Sequence, residues 1–197
     1  IIFLFIYSNT PMKYFILTYE DNFDFALQTK YILSYDWDID AEIIVGHKID
    51  NEKYTLSSVI IHNWVEFVLP KCIQSGDDCI IFEDDVRLGK SLDDLPFKQN
   101  DIVWFGYRGI NNAHIVGTQG VYFKRGEVLK KVYDNFSTRN PVQIDFALTK
   151  FINRKDTQHF KIHIPKLSYC YEKEHISLIS KQEDWIGKYT INPWKTI

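Results

Sequence analysis

The sequence is short of several things, and each shortage excludes a class of protein. It has three cysteines, Cys72, Cys79 and Cys170, an odd number with no C-x-x-C pair. A disulfide framework and a structural zinc site are both disfavoured, so a reducing, cytoplasmic compartment is expected. It has no excess of positive charge: 23 Lys and Arg against 26 Asp and Glu leave a formal net charge of −3. Affinity for nucleic acid is built on a basic face, so no nucleic-acid partner is expected. No polybasic block points to a membrane surface either. Glycine and proline are few, at 9 and 6 in 197 residues, which argues against a disordered chain. No internal repeat is visible.

Long apolar runs are also missing. The run IIFLFIY, residues 1–7, falls well short of the ~20 residues that a membrane-spanning helix needs. It has no basic flank, so it is a poor signal peptide. Residues 1–12 stand as an extension: an edge strand, an interdomain piece or a segment foreign to the fold. The chain does not begin with Met, which permits a domain of a longer polypeptide.

What the chain does have is core material. It is 45% hydrophobic, with 14 Phe, 12 Tyr and 5 Trp. That suits one domain spanning residues 1–197 with a sizeable core. Short β-rich runs alternate with helical patterns. KYFILTY (13–19) reads as a strand, and Phe25, Ala26, Thr29, Ile32 and Leu33 then recur at helical spacing. AEIIVG (41–46) is a second strand. A helix follows from Ser57 as N-cap, with Ile60, Trp64, Phe67 or Val68, and Cys72 on one face; Pro70 should bend or end it. CIIFEDD, DIVWFG and GTQGVYFKR are further strands. Val128 to Phe136 and PVQIDFALTKFI are helices, the second with Pro141 in its first turn. HFKIHI and LSYCYE read as strands, paired as a hairpin around Pro165. SKQEDWIGKY starts with a capping box, Ser180 and Glu183. This alternation is the mark of an α/β fold with a mainly parallel sheet flanked by helices.

One stretch stands out. An apolar run, Cys79 to Phe82, is followed at once by Glu83, Asp84 and Asp85. Three adjacent negative charges at the edge of a core need compensation. In open α/β sheets, ligands bind beyond the carboxyl ends of the strands. A hard divalent cation, Mg²⁺ or Mn²⁺, takes carboxylate oxygens and could in turn hold a diphosphate. The bland alternative is that Asp84 or Asp85 caps a turn while the others are solvated.

The order of motifs adds to this. An apolar strand ending in Glu-Asp-Asp-Val resembles the acidic metal motif of GT-A-fold glycosyltransferases. The succession IIFEDDV, DIVWFG, GTQGVYFKRGEVLKKV and PVQIDFAL resembles glycosyltransferase family 25, the lipopolysaccharide and collagen-galactosyl type. A small glycosyltransferase domain of a large algal virus is a further resemblance. Three features depart from the family pattern. His62 has no Ser before it, the first loop reads TYEDN, acidic where the family is basic, and the chain is short for the family.

The resemblance implies a compact GT-A, Rossmann-like domain that moves a sugar from a UDP-sugar to a glycan or glycoprotein acceptor. It implies Asp85 as ligand of Mn²⁺ (or Mg²⁺), Asp84 toward the ribose and Glu83 behind them. Thr18 and Tyr19 would meet the nucleotide, Tyr19 by stacking on uracil. Asp145 would be the general base of an inverting reaction, although a carboxylate in a first helical turn is also favoured by the helix dipole alone. His175 would close the metal site or touch the diphosphate, with Lys181 a further phosphate candidate. Arg108 and Gln119 would hydrogen-bond sugar hydroxyls. Trp104 is expected in the core, and Asp93 and Asp94 in a solvated turn. Two other classes compete. One is a non-catalytic nucleotide- or sugar-binding domain. The other is a metal-dependent phosphohydrolase, against which stand Glu83 in place of an aspartate nucleophile and the lack of D-x-D-x-T.

Overall fold

A computed structural model describes residues 11–47, 56–111, 114–138 and 143–172. Elements follow in chain order. Strand β1 (Met12–Tyr19) leads to helix α1 (Phe23–Trp37) and strand β2 (Ala41–Gly46). A long helical segment then runs as α2 (Leu56–Asn63), a π-helical turn (Trp64–Val68) and α3 (Leu69–Ser75). Strands β3 (Asp78–Glu83), β4 (Val86–Leu88) and β5 (Ile102–Gly106) come next, then β6 (Gly109–Asn111), β7 (His114–Val116) and β8 (Gly120–Phe123). Helices α4 (Glu127–Ser137) and α5 (Ile144–Ile152) and strands β9 (Ile162–His163) and β10 (Cys170–Glu172) complete the set.

Six strands form the central sheet in the order β2-β1-β3-β8-β5-β9. β1 is parallel to β2 and β3, β8 is antiparallel to both β3 and β5, and β9 is parallel to β5. Five strands therefore run one way and β8 runs against them. This is the mainly parallel, helix-flanked α/β architecture of the GT-A fold. Strand alternation explains why the sheet buries both faces. Cys79, Ile81, Trp104, Val121 and Phe123 point to one apolar layer, where Trp64, Val68, Leu129 and Leu148 cover them. Ile80, Phe82, Val103, Phe105 and Tyr122 point to the other, against Ala26, Leu33 and Val86. Each fully buried Leu, Ile or Phe contributes about 1.5–3 kcal/mol, so this double layer is the main source of stability.

Several expectations need correction. Helix α2 already includes Leu56, so Ser57 lies inside it and is not its N-cap. Pro70 does not end the helix. The wider π turn just before it lets Leu69 N–H bond Trp64 O, and the proline falls in the first turn of α3, where a missing N–H is tolerated. Helix α5 starts at Ile144 with Gln143 as N-cap, and Pro141 lies outside the described residues. The last two strands are not a hairpin. β9 adds to the main sheet beside β5, while β10 pairs antiparallel with β4. The β6–β7 hairpin was not anticipated. Trp104 is buried and Asp93 and Asp94 are exposed in a turn, as expected. All three cysteines are free and buried. The Ser180 capping box lies outside the described residues. Among the described residues, no helix is long and apolar enough to cross a membrane.

Candidate functional site

The sheet order reverses at β1: the chain passes to β2 on one side, then crosses to β3 on the other. In open α/β sheets, ligands usually bind beyond the carboxyl ends of the strands at such a reversal. The register brings Leu17 beside Glu83 and Tyr19 beside Gly46. Glu83 ends β3, Asp84 and Asp85 form the turn, and Val86 starts β4.

Three hydroxyls from three separate elements hold this acidic turn. Thr18 Oγ1, at the end of β1, donates to Asp84 Oδ2 at 2.7 Å. Thr29 Oγ1, on the buried face of α1, donates to the Asp84 carbonyl at 2.6 Å. Thr118 Oγ1, just before β8, donates to Glu83 Oε1 at 2.6 Å. Arg87 Nη1 donates to Thr29 Oγ1 and to Val86 O, both at 2.7 Å. Burial pulls the Arg87 guanidinium below its ordinary pKa, and the nearby Tyr171 and Asp85 pull it back up. The clustered negative charge thus has compensation within the protein: hydroxyl donors on two carboxylates and a buried guanidinium beside the third.

The β2 side of this edge is also built. The Asn63 side chain clamps the exit of β2, with Oδ1 accepting from His47 N and Nδ2 donating to His47 O, both at 3.1 Å. The Tyr19 hydroxyl is buried near this clamp, close to the Asn63 side chain but without a well-formed hydrogen bond among the described residues. Burial is the first cause, with Asp84 and Glu83 adding to it, that pushes Tyr19 up to about 12 although the Asn63 side chain opposes the rise.

On the far side, Asp145 sits in the first turn of α5. Its Oδ2 accepts from Gly117 N at 3.1 Å and its Oδ1 from Phe146 N at 2.7 Å. Gly117 has φ of +86°, a left-handed conformation that favours glycine, and an added Cβ would stand 2.6 Å from Gln119 Nε2. The Trp104 indole N–H reaches Gly106 O and Gly117 O. Arg108 is half-buried at the rim, its N–H bonded to Val116 O at 2.7 Å. Gln119 is buried, with Glu83 N bonded to its carbonyl.

The fold thus brings Thr18, Tyr19, Glu83, Asp84, Asp85, Arg108, Gln119 and Asp145 to one edge of the sheet or the loops next to it. The Thr18 hydroxyl donates to Asp84 Oδ2 and also lies 3.2 Å from Tyr19 O. His175 and Lys181 lie outside the described residues. Thr29, Arg87, Asn63 and Thr118 were missed. A threonine among the core positions of α1 and an arginine two residues past the acidic triplet were the available signals.

Among the described residues, no three His, Cys, Asp or Glu side chains converge to enclose a metal ion. The acidic turn still offers hard carboxylate oxygens at a strand end. That donor chemistry fits Mg²⁺ or Mn²⁺ where phosphate and water complete the shell, as Mg²⁺ usually requires.

No family model and no curated protein matches the sequence. Among solved structures, the chain resembles one described as a glycosyltransferase involved in the glycosylation of the major capsid of PBCV-1, a large algal virus. The TM-score is 0.54 at 10% sequence identity, over 78% of this chain and 81% of that one. The likeness is one of fold.

Proposed function

We propose that this chain is a glycosyltransferase that moves a sugar from a nucleoside-diphosphate donor, a UDP-sugar, to a glycan or glycoprotein acceptor. The observation that carries the reading is the Thr18–Asp84 bond across the point where strand order reverses, with Glu83 and Asp85 on either side. Acids pinned at a sheet's ligand edge, rather than left to solvent, suit a preorganised polar site. The fold shared with a viral glycosyltransferase supports the same class. Kinship with glycosyltransferase family 25 in particular rests on the four ordered motifs.

Asp85 would hold Mn²⁺ or Mg²⁺, with His175 a second candidate ligand. When bound, the cation supplies Lewis-acid stabilisation of the leaving diphosphate. Thr18 and Thr118 fix the two neighbouring carboxylates so that Asp84 can accept from the ribose. The Tyr19 ring offers a face for uracil, and Arg108 and Gln119 are the candidates for sugar hydroxyls. Asp145 is the candidate base for an inverting transfer: it would take the acceptor hydroxyl proton while its carboxylate is oriented by the Gly117 and Phe146 amides.

Calorimetric titration of UDP tests this, first with Mn²⁺ and then with EDTA, and again on Asp85→Ala. The expected result is binding that needs both the metal and Asp85. Equal binding without either, or none at all, removes the acidic turn from the proposal and leaves it a structural turn.

A further inference from the structure

Helix α1 carries a row of large side chains that the fold does not use. Phe23, Leu27, Tyr31 and Tyr35 repeat every four residues and so share one face. Their exposure rises from 39% at Phe23 through 46% and 66% to 78% at Tyr35. The opposite face, with Ala26, Thr29 and Leu33, is the one that packs on the sheet. Over twelve residues the row is about 18 Å long. Tyr31 and Tyr35 are already stacked, with ring centroids 5.8 Å apart and planes 8° from parallel. Aromatic rings held ready in this way are typical anchors of protein interfaces.

The surroundings of the row are acidic. Residues 20–40 hold six acids, Glu20, Asp21, Asp24, Asp36, Asp38 and Asp40, and one base, Lys30. Lys30 is paired with Asp40 at 3.5 Å. Asp36, Asp38 and Asp40 cluster at the carboxyl end of α1, whose last turn has no basic residue. The helix dipole disfavours anions there. Asp38 also takes the left-handed C-cap, φ +55°, where glycine is the ordinary choice. These anions stand on an exposed helix end, against the helix dipole and with no base in the last turn.

We propose that this face of α1 docks a basic polypeptide segment, one that sets arginine or lysine side chains beside large apolar ones. The apolar side chains would lie along Phe23, Leu27 and the tyrosine pair. Guanidinium groups would stack on the tyrosine rings and meet the aspartates at the end of the helix. An anionic membrane would be repelled by the acidic rim. A second copy of α1 would set like charges against one another. The row begins at Phe23, a few residues past the end of β1 at the ligand edge of the sheet, so a docked segment would run alongside the candidate site.

The test uses the full chain and two labelled synthetic helical peptides of about 18 residues, matched to the length of the row. Both carry leucines every four residues; one has arginine flanks and the other glutamate flanks. The arginine peptide should bind, more weakly as salt rises, and the glutamate peptide should not. Tyr31→Ser with Tyr35→Ser should weaken binding about tenfold or more, as should Asp36→Asn with Asp38→Asn, an asparagine being able to keep the left-handed cap. Both pairs are exposed, so each variant should melt close to the parent and bind UDP and Mn²⁺ unchanged; that titration separates this proposal from the transferase reading. The proposal is overturned if either pair leaves peptide binding intact. It is likewise overturned if Tyr31 and Tyr35 resist nitration in the free chain, or if the tyrosine pair proves to support self-association or vesicle binding instead.

Discussion

Replacing Thr29 by valine should loosen the acidic turn from a distance of 55 residues. Thr29 is fully buried on α1, and its hydroxyl is shared. It donates to the Asp84 carbonyl at 2.6 Å and accepts from Arg87 Nη1 at 2.7 Å. Valine keeps the shape and removes the oxygen. The Asp84 carbonyl then loses a buried donor, while the guanidinium keeps its bond to Val86 O. Leaving a buried neutral group unsatisfied costs about 1–3 kcal/mol, and hydrogen bonds to charged groups contribute about 1.5–3 kcal/mol. Because one bond to Arg87 survives, the combined loss should be about 2–4 kcal/mol. For a chain of this length that lowers the melting temperature by roughly 5–15 °C. Thr29→Ser keeps the hydroxyl and gives up one methyl, so it should cost only about 1 kcal/mol. Urea denaturation of both variants decides the matter. If Thr29→Val is as stable as Thr29→Ser, the shared hydroxyl is not holding the turn. The same pair should separate in UDP affinity with Mn²⁺, valine losing more than serine.

Three further outcomes follow from the geometry. Gly120→Ala would put a Cβ 2.4 Å from the buried Phe105 ring and 3.0 Å from Cys170 Sγ. Overpacking of this kind costs about 1–3 kcal/mol, and an unchanged urea midpoint would refute the contact. Burial raises the pKa of Tyr14, Tyr19 and Tyr122, Tyr19 to about 12, whereas unfolded tyrosines ionise near pH 10. Below about pH 10 both states keep these protons and stability is complete; as pH rises from there the unfolded chain loses them first, and stability falls as pH passes through the folded values. Denaturation midpoints that stay flat across this range would count against the buried hydroxyls. Asp145→Asn separates the base from the clamp. As base, its loss should lower turnover by about 10²–10⁴ with UDP binding kept; a parallel loss of nucleotide binding and of Gly117 amide protection would assign Asp145 to the loop alone.

Much of the fold was legible because its signals are local. Apolar runs such as Cys79–Phe82 are buried on both faces, and helical spacing in α1 and α4 is written within a few turns of chain. The acids after β3 were visible for the same reason. Misreadings fell where the outcome depended on partners. Pro70 reads as a bend or an end of the helix; the helix continues through it because a π turn comes just before and the proline falls in the first turn of α3. HFKIHI and LSYCYE are adjacent β-rich runs, yet β9 is drawn to β5 and β10 to β4.

The same division runs through the candidate site. Composition and residue order by themselves determined an α/β chain with three carboxylates at a strand end, since strand propensity and charge belong to neighbouring residues. Only the tertiary structure decided how that charge is borne. Thr18 and Asp84 are 66 residues apart, Thr29 and Asp84 55, and Thr118 and Glu83 35. Such bonds form because the sheet order brings strand ends to one edge and packs α1 beside it, and no short window of sequence contains both of their partners.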